Sequence, residues 1–319
     1  MNLFTKIDIP ISDWQIDYKS HLAFFGSCFA DNISAQFAER KFNVFANPFG
    51  TVYNPLSIER QLQHIAAGKI FEESDVFQDT RRDNGHGDNL WHCWDAHSSL
   101  SASTREECIA KLNEASRQAR EFLQQTDVVF VTLGSAFVYT LKSSGNVAAN
   151  CHRQDPKLFE RRLISVEETA QAIRGIVENL RSINRDIHIV FTVSPIRHKG
   201  DGAHGNNLSK ATVLLGIHNA AVSYFPSYEI VMDELRDYRF YESDMIHLSK
   251  ISEQIIFERM VETYCSEPTK ENIAKVEKFL KMASHRIQDE HSPATQELQK
   301  KIKTQASELE KIIPGLNLG

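Results

Sequence analysis

The chain has 319 residues, 41% of them hydrophobic and 24% charged, with a net charge of −6. This suits a soluble globular protein with a real core, and the acidic balance gives no basic footprint for nucleic acid. The opening residues lack a charged region followed by an apolar one, and no apolar run approaches the ~20 residues of a membrane helix, so neither a secretory signal nor a membrane partner is expected.

The five cysteines, Cys28, Cys93, Cys108, Cys151 and Cys265, are scattered and form no CxxC pair, which predicts free thiols in a cytoplasmic setting. Residues 22–25 form the first apolar run, a candidate central strand ending at a Gly26-Ser27 turn. A helix over 33–40 and a strand over 42–45 follow. The turn-rich stretch NPFGTVYNP at 47–55 leads into a helix over 57–67. Residues 70–102 are polar and aromatic and too long for an ordinary connection, so they read as an insertion near the site.

Thr104 with Glu107 opens a helix to about 125. Residues 127–133 are the clearest buried strand and end at Gly134-Ser135. After a loop at 140–165, Ser165 with Glu168 opens a helix over 166–183. Residues 187–193 form a third strong strand. A glycine-rich loop, a helix over 209–222, a last strand at 228–232 and a helix over 249–264 complete the alternation. Five strands alternating with helices predict a flavodoxin-like, three-layer α/β/α domain with a parallel sheet over residues 1–265. Residues 266–319 read as an appended helical hairpin, free to pack on the domain or on a second copy to make a homodimer.

A serine at a strand-to-helix turn stands at the carboxyl edge of the sheet, where open α/β sheets place their ligands. Ser27 is therefore the candidate nucleophile. It needs a base and a group to orient that base. Asp244 and His247, three residues apart before the last helix, supply both. Oxyanion donors are expected from the Ser27 amide, Gly50, and Gly134 with Ser135. Cys28 is the rival nucleophile, but its place directly after the turn predicts that it points into helix packing.

His86, Asp88, His92, Cys93, Asp95 and His97 lie close together, yet their spacing matches no specific zinc signature. With Trp91 and Trp94 interleaved, the segment reads first as a wall of the cleft, so no metal and no cofactor is expected. Asn150, His152, Arg197 and His198, in loops at the same edge, are candidate contacts to a polar substrate.

GSCFA at 26–30 matches the name-giving motif of the GSCFA domain family, a bacterial branch that resembles the SGNH/GDSL esterases. NPFGTVYNP at 47–55, TLGSAFVY at 133–140, NCHR at 150–153, SPIRH at 194–198 and DMIH at 244–247 support the match over about residues 20–265. The resemblance implies a flavodoxin-like fold and acyl-ester chemistry. It matches Ser27 to the nucleophile, Gly50 to the second-block glycine, and Asp244 and His247 to the last block. One departure stands out: the third block usually carries an asparagine that lines the oxyanion hole, and Ala136 takes that place here. Asn54, Asn150 and Ser135 are the residues left to replace it.

The expectation is thus a serine esterase or acyltransferase acting on a small-molecule or carbohydrate acyl ester by a Ser-His-Asp mechanism. A catalytically weak domain that binds glycans or a partner chain is the alternative, and a metal-dependent hydrolase using the 86–97 cluster a second.

Overall fold

The computed structural model describes residues 5–79, 89–284 and 293–318. Among the described residues, ten strands and nine helices are named in chain order: β1 His21–Gly26, α1 Cys28–Glu39, β2 Asn43–Ala46, α2 Pro55–Ala67, β3 Phe77–Gln78, β4 Trp91–His92, α3 Arg105–Leu123, β5 Val128–Leu133, β6 Phe137–Leu141, β7 Val147–Ala148, β8 Phe159–Leu163, α4 Val166–Ile183, β9 His188–Val193, α5 Gly202–Ala220, β10 Ser223–Tyr224, α6 Ser227–Glu229, α7 Lys250–Tyr264, α8 Glu267–Ala283 and α9 Pro293–Ile312.

Five strands form one parallel sheet in the order β10-β9-β5-β1-β2. Renumbered along the chain, this is the 2-1-3-4-5 order of flavodoxin-like sheets, whose strand order reverses between β1 and β5. The strands are apolar on both faces because helices cover both. Ala23, Phe25, Val129, Val131, Phe191 and Val193 point into the core beneath α2–α5. Leu22, Phe24, Val128, Phe130 and Val190 point the other way, against α1, α7 and α8. Side chains of this size each contribute roughly 1.5–3 kcal/mol on full burial, so the two faces together hold the sheet between its helices.

The structure changes several expected elements. α1 begins at Cys28, directly after the turn, because Ser27 takes the N-cap position with extended backbone. The glycine-rich stretch at 202–205 is the first turn of α5 rather than a loop. Residues 228–232 are helical, and the fifth strand is the two-residue β10 just before them. Their apolar residues Ile230 and Val231 are buried in the core, which a single helical turn achieves as well as a strand. Within the expected loop at 140–165, β6, β7 and β8 make a second, antiparallel sheet.

The tail is not a separate appendage. Ile273 and Val276 of α8, and Ile313 and Leu316 after α9, share the core that contains β1. No described helix is long and apolar enough to cross a membrane.

Candidate active site

The site is built at the carboxyl end of β1. Gly26 has φ +127°, and a Cβ there would lie 2.0 Å from the Thr132 carbonyl oxygen of β5. Only glycine lets the two strands approach so closely while the chain turns into α1. The loop after β2 braces that turn. Asn47, in left-handed backbone at φ 40°, accepts the Gly26 amide at 2.8 Å and donates to Asp31 Oδ1 at 2.6 Å. Thr51 donates to the other oxygen of Asp31 at 2.9 Å. Asn47 and Asp31 therefore organise the turn; Asp31, a helix-cap candidate from the sequence, lies inside α1 and braces the loop instead, and the asparagine preference for left-handed turns was the available signal for Asn47.

Ser27 and Cys28 exchange their expected exposures. Ser27 is 1% exposed, and its Oγ is buried and makes no hydrogen bond among the described residues, including none to His247. Cys28 is partly exposed. Ser27 takes the N-cap position of α1 without a side-chain capping bond. Burial and then Asp31 push the Cys28 thiol up from its ordinary value, while the amides of Cys28 and Phe29 and the Lys210 ammonium favour the thiolate. These amides are unsatisfied first-turn donors of α1.

Asp244 and His247 form the predicted pair. His247 Nδ1 lies 2.5 Å from Asp244 Oδ2, and Asp244 Oδ1 accepts the amides of Ile246 and His247 at 2.9 and 3.0 Å. The His247 hydrogen bond, aided by these amides, holds the Asp244 carboxyl down at about 2. The carboxylate fixes the tautomer that protonates Nδ1 and leaves Nε2 as acceptor. The His247 side chain is 53% exposed. Two contacts tie this segment to the sheet edge: Lys199, after β9, donates to the Asp244 carbonyl at 3.4 Å, and Asn32 in α1 donates to Glu253 in α7 at 2.6 Å.

The expected oxyanion donors are committed elsewhere. The Gly50 amide closes its own turn onto the Asn47 carbonyl at 2.8 Å, and its Cα face is covered by His97. The amides of Gly134 and Ser135 both go to the Tyr53 carbonyl, at 2.7 and 2.9 Å. Ser135 Oγ accepts the Phe137 amide at 3.0 Å and lies 3.1 Å from Ser209 Oγ. Of the residues left to replace a third-block asparagine, Asn54 caps α2 through the Ser57 amide at 2.9 Å. Asn150 accepts the His152 amide at 2.7 Å. The Thr51 amide, between Gly50 and Val52, has no acceptor among the described residues.

His92 and His152 are parts of the fold rather than open substrate contacts. Their rings lie 4.4 Å apart beside Trp94, which stacks on Phe77 at 3.8 Å. His92 Nδ1 lies 2.6 Å from Ser101 Oγ and His152 Nε2 lies 2.8 Å from the Cys93 carbonyl. Burial holds His152 down at about 4, so it stays neutral. This cluster stitches the 89–102 segment to the second sheet. His97 packs on Gly50. Arg197 and His198 do reach the edge: the His198 ring lies 6.5 Å from Tyr53, and Arg197 lies near Asn207 and Met232. Among the described residues no three His, Cys, Asp or Glu side chains converge as metal ligands; His86 and Asp88 of the suggested cluster lie outside them.

An open parallel sheet in the 2-1-3-4-5 order, covered by helices on both faces, defines an α/β protein of flavodoxin-like type. The model of the GSCFA family matches residues 21–260, and the chain belongs to that family. No curated protein matches it.

Proposed function

We propose that the protein is an acyl-ester hydrolase or acyltransferase, akin in plan to the SGNH esterases but with Cys28 rather than Ser27 as nucleophile. The observation that carries the reading is the Asp244–His247 pair at 2.5 Å, half exposed, with Nε2 unpartnered among the described residues. In a histidine base the orienting carboxylate and the free nitrogen have to occur together. Cys28 is favoured over Ser27 because its side chain is the accessible one of the two.

In this reaction His247 Nε2 takes the thiol proton and the Cys28 sulfur attacks the ester carbonyl carbon. The carbonyl oxygen becomes an oxyanion. As it collapses, the C–O bond breaks, the alkoxide takes the proton from His247, and an acyl thioester remains on Cys28. Water, giving a proton to His247, or an acceptor alcohol then attacks the thioester, and the thiolate leaves and regains its proton. The Cys28 and Thr51 amides serve the oxyanion. The polar rim of Arg197, His198 and Lys199 suits a polar acyl ester, such as an acylated carbohydrate, over a long-chain lipid.

The test is turnover of a p-nitrophenyl acyl ester with mass analysis of the trapped intermediate. Cys28→Ala should lose at least ~10³-fold in kcat/KM, Ser27→Ala should stay within about tenfold, and the acyl group should be found on Cys28. An acyl group on Ser27, or full activity in Cys28→Ala, sinks the reading.

A further inference from the structure

Arg197, His198 and Lys199 follow β9 and are all exposed. They stand on a chain whose net charge is −6. Arg197 donates to Asn207 Oδ1 of α5 at 3.2 Å and lies 3.7 Å from Met232 Sδ. Lys199 donates to the Asp244 carbonyl at 3.4 Å. Both cations thus rest on neutral atoms, and among the described residues neither makes an ion pair. The carboxylate of their own loop is already engaged. Asp201, whose side chain is 1% exposed, pairs with Arg161 and lies 3.2 Å from His198 Nδ1. A guanidinium has five N–H donors and an ammonium three, so Arg197 and Lys199 both keep donors for a further acceptor.

This segment meets two parts of the site by contact. The first is Tyr53. The Val52 amide donates to the Gly26 carbonyl at 3.0 Å, and the Tyr53 carbonyl accepts the Gly134 and Ser135 amides. Tyr53 therefore lies across the carboxyl ends of β1 and β5, where the strand order reverses. Its side chain packs against Gly134, remains 40% exposed, and meets the His198 ring edge-on at 6.5 Å. The second is Asp244, whose carbonyl Lys199 holds and whose carboxylate orients His247.

The chemistry decides which half of an ester comes to these cations. The leaving oxygen takes its proton from His247, so the alcohol portion has to reach that imidazole. Lys199 is bonded to the residue that orients the imidazole, and Arg197 lies two residues earlier on the same segment. A negative group on the alcohol would meet both cations without first displacing a carboxylate of the protein. A guanidinium also matches the planar spread of carboxylate or phosphate oxygens.

We infer that Arg197 and Lys199 are an anion clamp, and that the ester cleaved at this site carries a carboxylate or phosphate on its alcohol portion, beside Tyr53. The inference rests on the acyl-transfer reading and adds the charge of its substrate. The clamp selects by charge rather than by burial, because its donors are open to solvent.

The test compares three acetyl esters of one phenol framework: 4-acetoxybenzoate, 4-acetoxyphenyl phosphate and the neutral methyl 4-acetoxybenzoate. At low salt the wild type is expected to favour an anionic ester over the neutral one by about tenfold in kcat/KM, mostly through KM. The phosphate ester should gain more than the carboxylate if the site takes a dianion, and the two should be equal if it takes one charge. Arg197→Gln should reduce the anionic-to-neutral ratio about three- to fivefold, and Arg197→Lys should restore part of it. The wild-type ratio should also shrink as ionic strength rises from about 0.02 to 0.5 M, because exposed charges are screened over that range.

A ratio below about threefold for both anionic esters at low salt, or one that Arg197→Gln and added salt leave unchanged, overturns the clamp while the acyl-transfer reading stands. If Arg197→Gln does not fold, the salt dependence of the wild type decides alone. Full activity in Cys28→Ala overturns the acyl-transfer reading itself. The clamp is then tested without turnover, by calorimetry with 4-hydroxyphenyl phosphate. Binding with a Kd of about 1 mM or tighter, weakened severalfold in Arg197→Gln, supports it, and no binding to the wild type overturns it.

Discussion

At the scale of single residues, the site depends on one atom that is missing. Gly26 has no Cβ, and any other residue would set one 2.0 Å from the Thr132 oxygen in a backbone region at φ +127° that side chains rarely adopt. Gly26→Ala therefore has to separate β1 from β5 at the switch point. It should destabilise the protein by at least ~3 kcal/mol, read as a drop in the urea midpoint; a midpoint within experimental error of wild type would show that the two strands yield easily. The sequence made this turn visible, along with Asp244 and His247, because each is a local pattern. It favours Ser27 over Cys28 as the exposed side chain, and the structure reverses that exposure. The helix begins at 28 instead of 33, with Ser27 as its N-cap. The Gly50, Gly134 and Ser135 amides were misjudged for a related reason. A glycine after a strand signals a sharp turn, but not which carbonyl its amide meets, and here Asn47 and Tyr53 take them.

At the scale of elements, β1, β5 and β9 were legible because strands buried on both faces become continuous apolar runs. Helices α3 and α4 announced themselves through caps: Thr104 accepts the Glu107 amide and Ser165 shares a full capping box with Glu168. Residues 228–232 misled because a short apolar run fits a strand and a buried helical turn equally well. The packing of α2 on α4 carries a consequence for pH. Glu59 of α2 crosses α4 where Gly175 leaves room for its carboxylate, and burial, with Glu178 nearby, raises the Glu59 carboxyl from 4.5 to about 6. The folded state thus holds this proton more tightly than the unfolded chain does. The resulting stability is complete below the unfolded value and is lost as pH rises through about 6. Glu59→Gln should consequently raise the Tm at pH 7.5 and give little or no gain at pH 4.5. An equal gain at both pH values would place the effect in packing rather than in charge.

At the scale of the whole molecule, the boundary expected at residue 265 dissolves. The five-stranded sheet has two covered faces, and α8 completes the cover on the side of α1 and α7. Arg40 at the end of α1 pairs with Glu277 of α8 at 2.6 Å, while the chain after α9 returns to bury Ile313 and Leu316 against the residues around Tyr18. A charged segment with sparse apolar positions looks like an appendage in sequence. Its few apolar side chains nevertheless fall on one face, and that face finds the core. Burial of Ile273, Val276, Ile313 and Leu316 at roughly 1.5–3 kcal/mol each is comparable with the whole ~5–15 kcal/mol stability of an ordinary domain. Ending the chain at Cys265 should therefore cost the cooperative fold. Urea unfolding followed by circular dichroism checks this: the shortened chain is expected to show no cooperative transition, or one at a far lower midpoint. A shortened chain that unfolds at the wild-type midpoint would restore the two-domain reading and make the helical tail an independent module.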